Sequence, residues 1–245
     1  MHMRLDKGLV ERGLVTSRSR AQFMIKSGAV LINDSIVEKT SFLLKPSDTI
    51  KIMREINPWV SRAALKLEHA INVFKLAPLS GLAMDIGAST GGFTEVLLAY
   101  GCRKVYAIDV GKSQLDQKLK DDSRILNFEG VNAKDLRALD LPLVDVIVCD
   151  ASFISFSKVV KAPLSFAKDN CQLIALIKPQ FEVGPTKVGK RGVVRNIAYR
   201  QEACSSAKSF LEKQGWLVTH LEESPIHGSD GNLEFLIAAK KKITK

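Results

Sequence analysis

The stretch from residue 82 to residue 109 constrains the fold of this chain more than any other. The apolar run Leu82-Ala83-Met84-Asp85-Ile86 ends in Gly87-Ala88-Ser89-Thr90-Gly91-Gly92, and Phe93-Thr94-Glu95-Val96-Leu97-Leu98 continues with a helix-like pattern. A second apolar run, Lys104-Val105-Tyr106-Ala107-Ile108, closes on Asp109, 22 residues beyond Gly87. Strand, glycine turn, helix start and second strand is the arrangement that holds a nucleotide-like cofactor against a sheet. Glycine lets the backbone approach a ligand closely and take positive φ. An acid closing the second strand can accept hydrogen bonds from both hydroxyls of a ribose. Without a ligand, the same string is a glycine turn between a strand and a helix.

The glycine spacing narrows the cofactor. A dinucleotide loop needs G-x-G-x-x-G, and here Ala88-Ser89 follows Gly87, so the glycine that seats a pyrophosphate is missing. A nucleoside-triphosphate loop ends in Gly-Lys-Ser/Thr, and Gly91-Gly92-Phe93 does not. What stands is D-x-G-A-x-x-G-G-F, which resembles motif I of the S-adenosylmethionine (SAM) methyltransferases. The resemblance implies that Asp85, Gly87, Ala88, Ser89, Thr90, Gly91, Gly92 and Phe93 pass the methionine part of SAM and that Asp109 holds its ribose.

From residue 61 onward, apolar runs alternate with helix-like stretches, the mark of an α/β fold with a mostly parallel sheet. Val144 to Cys149 runs into Asp150, and Leu173 to Ile177 runs into Lys178; Trp216 to Thr219 and Leu233 to Ala239 complete the sheet, with a helix over Tyr199 to Gln214. Ligands lie at the carboxyl ends of parallel strands. Asp109, Asp150 and Lys178 fall at such ends, and Glu234 starts the last strand, which reaches the same edge if it is antiparallel. A helix with Ser61 as N-cap carries Ala63, Leu67, Ala70 and Phe74 on one stripe, and Lys66 borders it.

Lys66, Asp150, Lys178 and Glu234 match the Lys-Asp-Lys-Glu tetrad of FtsJ-type ribose 2′-O-methyltransferases, in the strings Ser-Arg-Ala-Ala-Leu-Lys-Leu, Cys-Asp-Ala-Ser-Phe-Ile-Ser, Ile-Lys-Pro-Gln-Phe-Glu and Gly-Asn-Leu-Glu-Phe. The resemblance implies that these four are catalytic, with Lys178 accepting or orienting the proton of the attacking hydroxyl. Asp150 and Glu234 would then fix the two lysines, and Lys66 would steady the nucleotide. One departure is Asn132, which stands where FtsJ-type enzymes carry an Asp beside the adenine. Base-amino methyltransferases more often carry Asn/Asp-Pro-Pro-aromatic after strand four, and Asp150-Ala151-Ser152-Phe153 lacks both prolines.

The N-terminal third has a pattern of its own. Leu5, Leu9 and Val10 suggest a short helix ending near Gly13. Ser19 and Gln22 fit a capping box for a second helix that stops at Gly28. Short strands follow at Val30-Leu31-Ile32, Ile36-Val37 and Thr49 to Ile52, with a turn at Asn33-Asp34. Arg4-Leu5-Asp6, Ser17-Arg18-Ser19-Arg20-Ala21, Ile25-Lys26-Ser27-Gly28-Ala29-Val30, Ile32-Asn33 and Ser47-Asp48-Thr49-Ile50 stand in the order seen in S4 RNA-binding domains. That resemblance implies that Arg4, Arg18, Arg20 and Lys26 meet an RNA backbone. With the tetrad behind it, the whole chain resembles the TlyA-type (haemolysin A) rRNA 2′-O-methyltransferases, whose targets are cytidines. The fold expected is α/β: a Rossmann-like class I SAM-methyltransferase sheet over 61–245 and a small α+β S4 domain over 1–53. Residues 54–60, broken by Pro58, form a linker in which Trp59 packs against one domain or the other.

A formal net charge of +10 is a statement about partners, and a polyanion such as ribosomal RNA or a ribosomal subunit is the natural one. Between Val183 and Gln201 there are five basic residues and no acidic one. In that glycine-hinged loop Lys187, Lys190, Arg191 and Arg195 could order on an RNA backbone, or form only a mobile surface loop. The Lys240-Lys241-Lys242 tail reads as solvated. No apolar stretch is long enough to span a membrane and no signal-peptide pattern opens the chain, so a cytoplasmic protein is expected. The four scattered cysteines form no metal-ligand spacing with the four histidines and read as reduced, structural thiols. Two other functions stay open at this point: an RNA-binding ribosome-assembly factor that keeps the fold without catalysis, and a haemolysin, against which the lack of membrane segments argues.

Overall fold

The computed structural model describes residues 3–15, 18–53 apart from 27, 59–243 apart from 229, with the side chains of Ser19, Arg20, Phe23, Lys26 and Lys190 outside the description. The chain divides into two compact units, 1–58 and 59–245. Most of the linker expected over 54–60 lies outside the described residues; Trp59 packs on the core of the second unit and donates from Nε1 to Glu68 Oε2 at 3.2 Å.

The first unit is built from β1 (Met3–Arg4), α1 (Leu5–Glu11), α2 (Arg18–Lys26), β2 (Val30–Ile32), β3 (Ser35–Ile36), β4 (Leu43–Leu44) and β5 (Ile50–Ile52). β1 pairs antiparallel with β4, and β2 lies between β3 and β5, antiparallel to both. Leu5, Leu9, Ala21, Met24, Ile25, Val30, Ile32 and Leu44 close its core. Asn33 and Asp34 both take positive φ, the two-residue turn whose twist matches a hairpin between β2 and β3. Gly28, at φ 69°, ends α2 as expected. The Ser19 side chain expected to cap α2 lies outside the described residues. α2 already includes Ser19, and Gln22 sends its amide to Asp6 Oδ2 at 2.8 Å.

The second unit carries α3 (Ala64–Val73), β6 (Leu82–Ile86), α4 (Gly92–Ala99), β7 (Lys104–Asp109), α5 (Gln117–Lys120), β8 (Ile125–Glu129), β9 (Val144–Cys149), α6 (Phe156–Val160), β10 (Ala167–Ile177), α7 (Pro179–Glu182), α8 (Ile197–Lys213), β11 (Trp216–Glu223) and β12 (Phe235–Lys241). Its seven strands lie in the order β11-β12-β10-β9-β6-β7-β8, all parallel except β12. Period-2 alternation divides each central strand between two cores. Ile147 and Cys149 join Phe156, Val160 and Leu211 on one face; Val146 and Val148 join Leu67, Ile71, Val96 and Leu97 on the other. The strand order reverses between β6 and β9, so the crevice beyond their carboxyl ends is where such a sheet receives a ligand.

Two expectations are corrected in this unit. Ser61 is not the N-cap of α3, which starts three residues later behind Ala63 without a side-chain cap. The lysine tail is not simply solvated: Lys240 and Lys241 end β12, and Lys241 Nζ donates to Ala167 O at 2.7 Å.

Candidate active site

The carboxyl end of β6 turns sharply because Gly87 holds φ 80° and brings the loop against the one after β9. A Cβ at Gly87 would stand 2.9 Å from Ala151 Cα. Gly92 plays the complementary part, since its Cβ would meet Ser61 Oγ at 2.1 Å. Asp109 at the end of β7 fixes the loop from the side. Its Oδ2 accepts from Ser89 N at 2.8 Å and its Oδ1 from Gly111 N at 2.7 Å. Each oxygen keeps a further acceptor site, so the ribose role remains chemically open to it.

A cleft of about 570 Å³ opens between these loops, with Gly87, Ser89, Asp109, Asn132, Asp150 and Ser152 among its walls. A smaller recess of about 240 Å³ adjoins it, lined by Ala88, Thr90, Gly92, Phe93 and Lys178 among others. Asn132 caps the helical turn 133–138, accepting from Lys134 N at 3.1 Å, and still borders the cleft. Two of the residues expected to touch a cofactor stand on neither wall. Gly91 sits at φ 94° against Leu115 and Leu119, where it shapes the turn into α4. Asp85 points with Ala83 toward α4 and is completely buried. Its Oδ2 accepts from Thr94 Oγ1 at 2.7 Å, while Oδ1 meets no polar partner. Burial pushes its carboxyl up to about 7, against the pull of Thr94.

Lys66, Asp150, Lys178 and Glu234 converge at this edge, although α3, β9, β10 and the segment before β12 supply one each. Lys66 borders the apolar stripe of α3 and is buried, with Nζ 2.6 Å from Glu234 Oε2 and 3.8 Å from Asp150 Oδ2. Lys178 Nζ lies 2.7 Å from Asp150 Oδ1 and donates to Asp150 O at 3.1 Å and Ser152 Oγ at 2.8 Å. Glu234 precedes β12 by one residue, and the antiparallel run of β12 brings it to the edge where β9 and β10 end. Two ammonium groups and two carboxylates thus form one alternating, charge-balanced row, the condition under which buried charges hold together.

Sequence reasoning missed several supports. Ser152 holds Lys178, and the string Asp150-Ala151-Ser152 contained it without marking it. Glu129, at the end of β8, accepts from the backbone N–H groups of Ser113, Gln114 and Leu115; those bonds hold its carboxyl at about 2 and fix the loop beyond β7. Asn232 is buried between the tetrad and the basic loop. It accepts from Val194 N at 3.0 Å and donates to Gly192 O at 2.9 Å. The 183–195 segment is therefore no free loop: Val183 and Val194 sit in the core. Lys187 lies across the Tyr199 ring and pairs with Glu202 at 2.6 Å. Arg191 and Arg195 are exposed. At the mouth of the cleft Phe153 is 91% exposed at φ 64°, its ring 5.2 Å from that of Phe181. Positive φ is costly for an aromatic residue and gathers at functional sites.

In the first unit Arg4 and Arg18 are not free cations. Arg4 grips the buried Asp6 with Nε at 3.0 Å and Nη2 at 3.1 Å, and Arg18 Nε joins at 2.9 Å. Both arginines still reach solvent, at 45% and 59% side-chain exposure. The side chains of Arg20, Lys26 and Lys190 lie outside the described residues. All four cysteines are free and buried, and among the described residues no cluster of His, Cys, Asp or Glu is placed to hold a metal ion. No helix among the described residues is long and apolar enough to cross a membrane.

Comparison with known proteins bears on the same residues. The model of the FtsJ-like methyltransferase family matches residues 59–241, and that of the S4 domain matches residues 3–50. The chain belongs to the FtsJ-like methyltransferase family. It is 40% identical to "Hemolysin A" of Brachyspira hyodysenteriae, over 96% of this chain and 98% of that one. It is 36% identical to the 16S/23S rRNA (cytidine-2′-O)-methyltransferase TlyA of Mycobacterium tuberculosis, over 96% of this chain and 88% of that one. A solved structure from Streptococcus thermophilus, described as a candidate hemolysin, is 34% identical with a TM-score of 0.74, covering 99% of this chain and 90% of that one. This FtsJ-like member thus carries its S4 domain ahead of the methyltransferase sheet, as the two matched ranges show.

Proposed function

We propose that this protein transfers a methyl group from SAM to the 2′-hydroxyl of a cytidine ribose in ribosomal RNA. The observation that carries this reading is the Lys66–Glu234 and Asp150–Lys178 row at the carboxyl edge of the sheet. The loop and cleft fit SAM. The volume suits a nucleoside-sized ligand. Gly87 leaves a cradle that a Cβ would fill, and Asp109 presents two carboxylate oxygens. Asp109 would hold the ribose, Asn132 the adenine, and Ser89, Thr90 and Gly92 the methionine end. Bound there, SAM supplies a methyl group activated on a sulfonium.

The residues of the chain do the rest. A ribose hydroxyl is a weak acid and must lose its proton as its oxygen attacks. Lys178 would hold that oxygen and take its proton, once its own ammonium has given one up. Asp150 and Ser152 fix the direction of its Nζ. Lys66, braced by Glu234, steadies the nucleotide. Phe153 offers a stacking face to a base splayed out of its RNA, the usual way single-stranded bases are held. Residues 1–53 would serve as the RNA-binding domain, 54–60 as the linker and 61–245 as the transferase. Arg4, Arg18, Arg20, Lys26, Lys190, Arg191 and Arg195 are the cations read as meeting phosphate; Lys187 is already engaged with Glu202. A substrate of this kind places the protein in the cytoplasm.

The test is transfer of labelled methyl from SAM to ribosomal subunits and rRNA from cells lacking this gene, read by nucleoside mass spectrometry. The expected product is 2′-O-methylcytidine, and Lys178→Ala should abolish its formation while RNA binding stays nearly intact. A methylated base would overturn the role given to the tetrad. Tight RNA binding without transfer would replace the reading by that of an assembly factor.

A further inference from the structure

Lys66 also lines a second cavity, of about 680 Å³, together with Arg62, Ala63, Pro225, Ile226, His227 and Gly228. Its walls are built. Ser224, buried, accepts from Ile226 N and donates to Ile226 O at 2.9 Å; its backbone N–H donates to Glu234 O at 2.8 Å. Gly228 N donates to Asn232 O at 2.9 Å. The 224–228 turn is thus tied to the segment that carries Glu234. Gly228 is needed there, since a Cβ would stand 2.6 Å from Glu234 Oε1.

The charges of this cavity are unbalanced. Lys66 is answered by Glu234 and Asp150. Arg62 and His227 are exposed, and neither side chain has an ion pair or hydrogen bond among the described residues. Among the described residues no carboxylate lines the cavity. A pocket with a free guanidinium, an imidazole and a shared ammonium suits an oxyanion.

We infer that this cavity binds the 3′-phosphodiester of the target nucleotide. The inference rests on the function proposed above and specifies it. In a ribonucleotide the 3′-phosphate hangs from the carbon next to the one bearing the 2′-hydroxyl. A ribose whose 2′-oxygen faces Lys178 therefore carries that phosphorus four bonds from the attacking oxygen, close to the tetrad. Lys66 is the group common to the tetrad and the cavity, so the cavity is the adjoining space with unspent positive charge. Phosphate held by Arg62 fixes the ribose against rotation, and so sets which oxygen meets the methyl group.

The experiment measures rRNA binding by the full chain across a salt series, SAM binding by calorimetry, and methyl transfer. Arg62→Ala should weaken rRNA binding about tenfold and lower the slope of log affinity against log salt by about one. SAM binding should be unchanged. Arg62→Lys should restore most of the affinity, and His227→Ala, in the same cavity, should show a smaller loss of the same kind. Arg62→Ala and His227→Ala proteins that bind rRNA like the wild type, with the same salt slope, would overturn the inference. Should Arg62→Ala also lose SAM binding, His227→Ala decides alone. A wild type that makes no 2′-O-methylcytidine would instead sink the functional reading, a different outcome from a working wild type matched by its variants.

Discussion

Each unit of this protein buries one aspartate completely, and the two are answered in opposite ways. Asp6 in the first unit is gripped by Arg4, Arg18 and Gln22, and its carboxyl is held well below the usual carboxylate range, chiefly by the hydrogen bonds from Arg4. Asp85 in the second unit meets only Thr94, keeps one oxygen without a partner, and is pushed up to about 7 by burial. Burial alone therefore does not set the state of a buried acid; the donors around it do. Asp6 draws two exposed arginines to one point and spaces them. Asp85 supports the loop over the candidate cofactor cleft from behind, with its carboxyl divided between the acid and the carboxylate near neutral pH.

The comparison is sharpest against pH. Asp85 has a folded value of about 7 against an ordinary 3.8, so the folded state binds its proton more tightly than the unfolded chain does. The stability it contributes is full below about 3.8 and is lost as pH rises through about 7. Asp85→Asn should remove that slope. The urea midpoint of the wild type should fall between pH 5 and pH 8 by an amount worth up to a few kcal/mol, and the variant should change much less. Equal slopes in the two proteins would mean that water or a ligand answers the second oxygen of Asp85.

Asp6 has the reverse sign. Its folded value lies below the ordinary 3.8, so its contribution is present above that value and disappears as pH falls through the lowered one. Asp6→Asn should cost about 2 kcal/mol at pH 7, the worth of its charge-assisted bonds, less than a fully buried pair because Arg4 and Arg18 reach water. The same change releases both arginines, so rRNA affinity should fall as well even though a negative charge has been removed. Higher affinity would show that Asp6 competes with phosphate for the arginines instead of arraying them.

Much of this was legible in the sequence, for reasons that also mark its limits. β7 and β9 match the apolar runs ending in Asp109 and Asp150 because buried parallel strands are continuous apolar stretches. The meeting of Asp150, Lys178 and Glu234 followed from topology, which brings strand ends to one edge wherever the residues lie in the chain, whereas Lys66 came from the stripe of its helix and the resemblance to the tetrad. Local signals failed where a distant partner outbid them. Gln22 read as half of a capping box, yet it sends its amide to Asp6, 16 residues away. Ser61 looked like a cap but sits against Gly92. The basic 183–195 segment read as loop from its glycines, yet Asn232, some 40 residues on, pins it to the approach to Glu234. Periodicity and caps report on neighbours in sequence, and none of them registers a side chain that satisfies a backbone far away.

The smallest change tests whether Thr94 is all that keeps Asp85 from rising further. Thr94→Val is close to isosteric and removes the hydroxyl that donates to Asp85 Oδ2, while the backbone N–H of Thr94 remains. The lost bond favours the ionised carboxylate more than the acid, whose carbonyl oxygen accepts it more weakly, so its removal should raise the Asp85 value above about 7 and cost the protonated state less. The expected cost is about 1 kcal/mol at pH 8 and less at pH 5, where Asp85 already carries its proton. In the Asp85→Asn background the pH dependence of that cost should vanish, since the two residues share one interaction. A loss equal at both pH values would place the role of Thr94 in packing beneath the glycine loop and would leave the charge state of Asp85 to its burial alone.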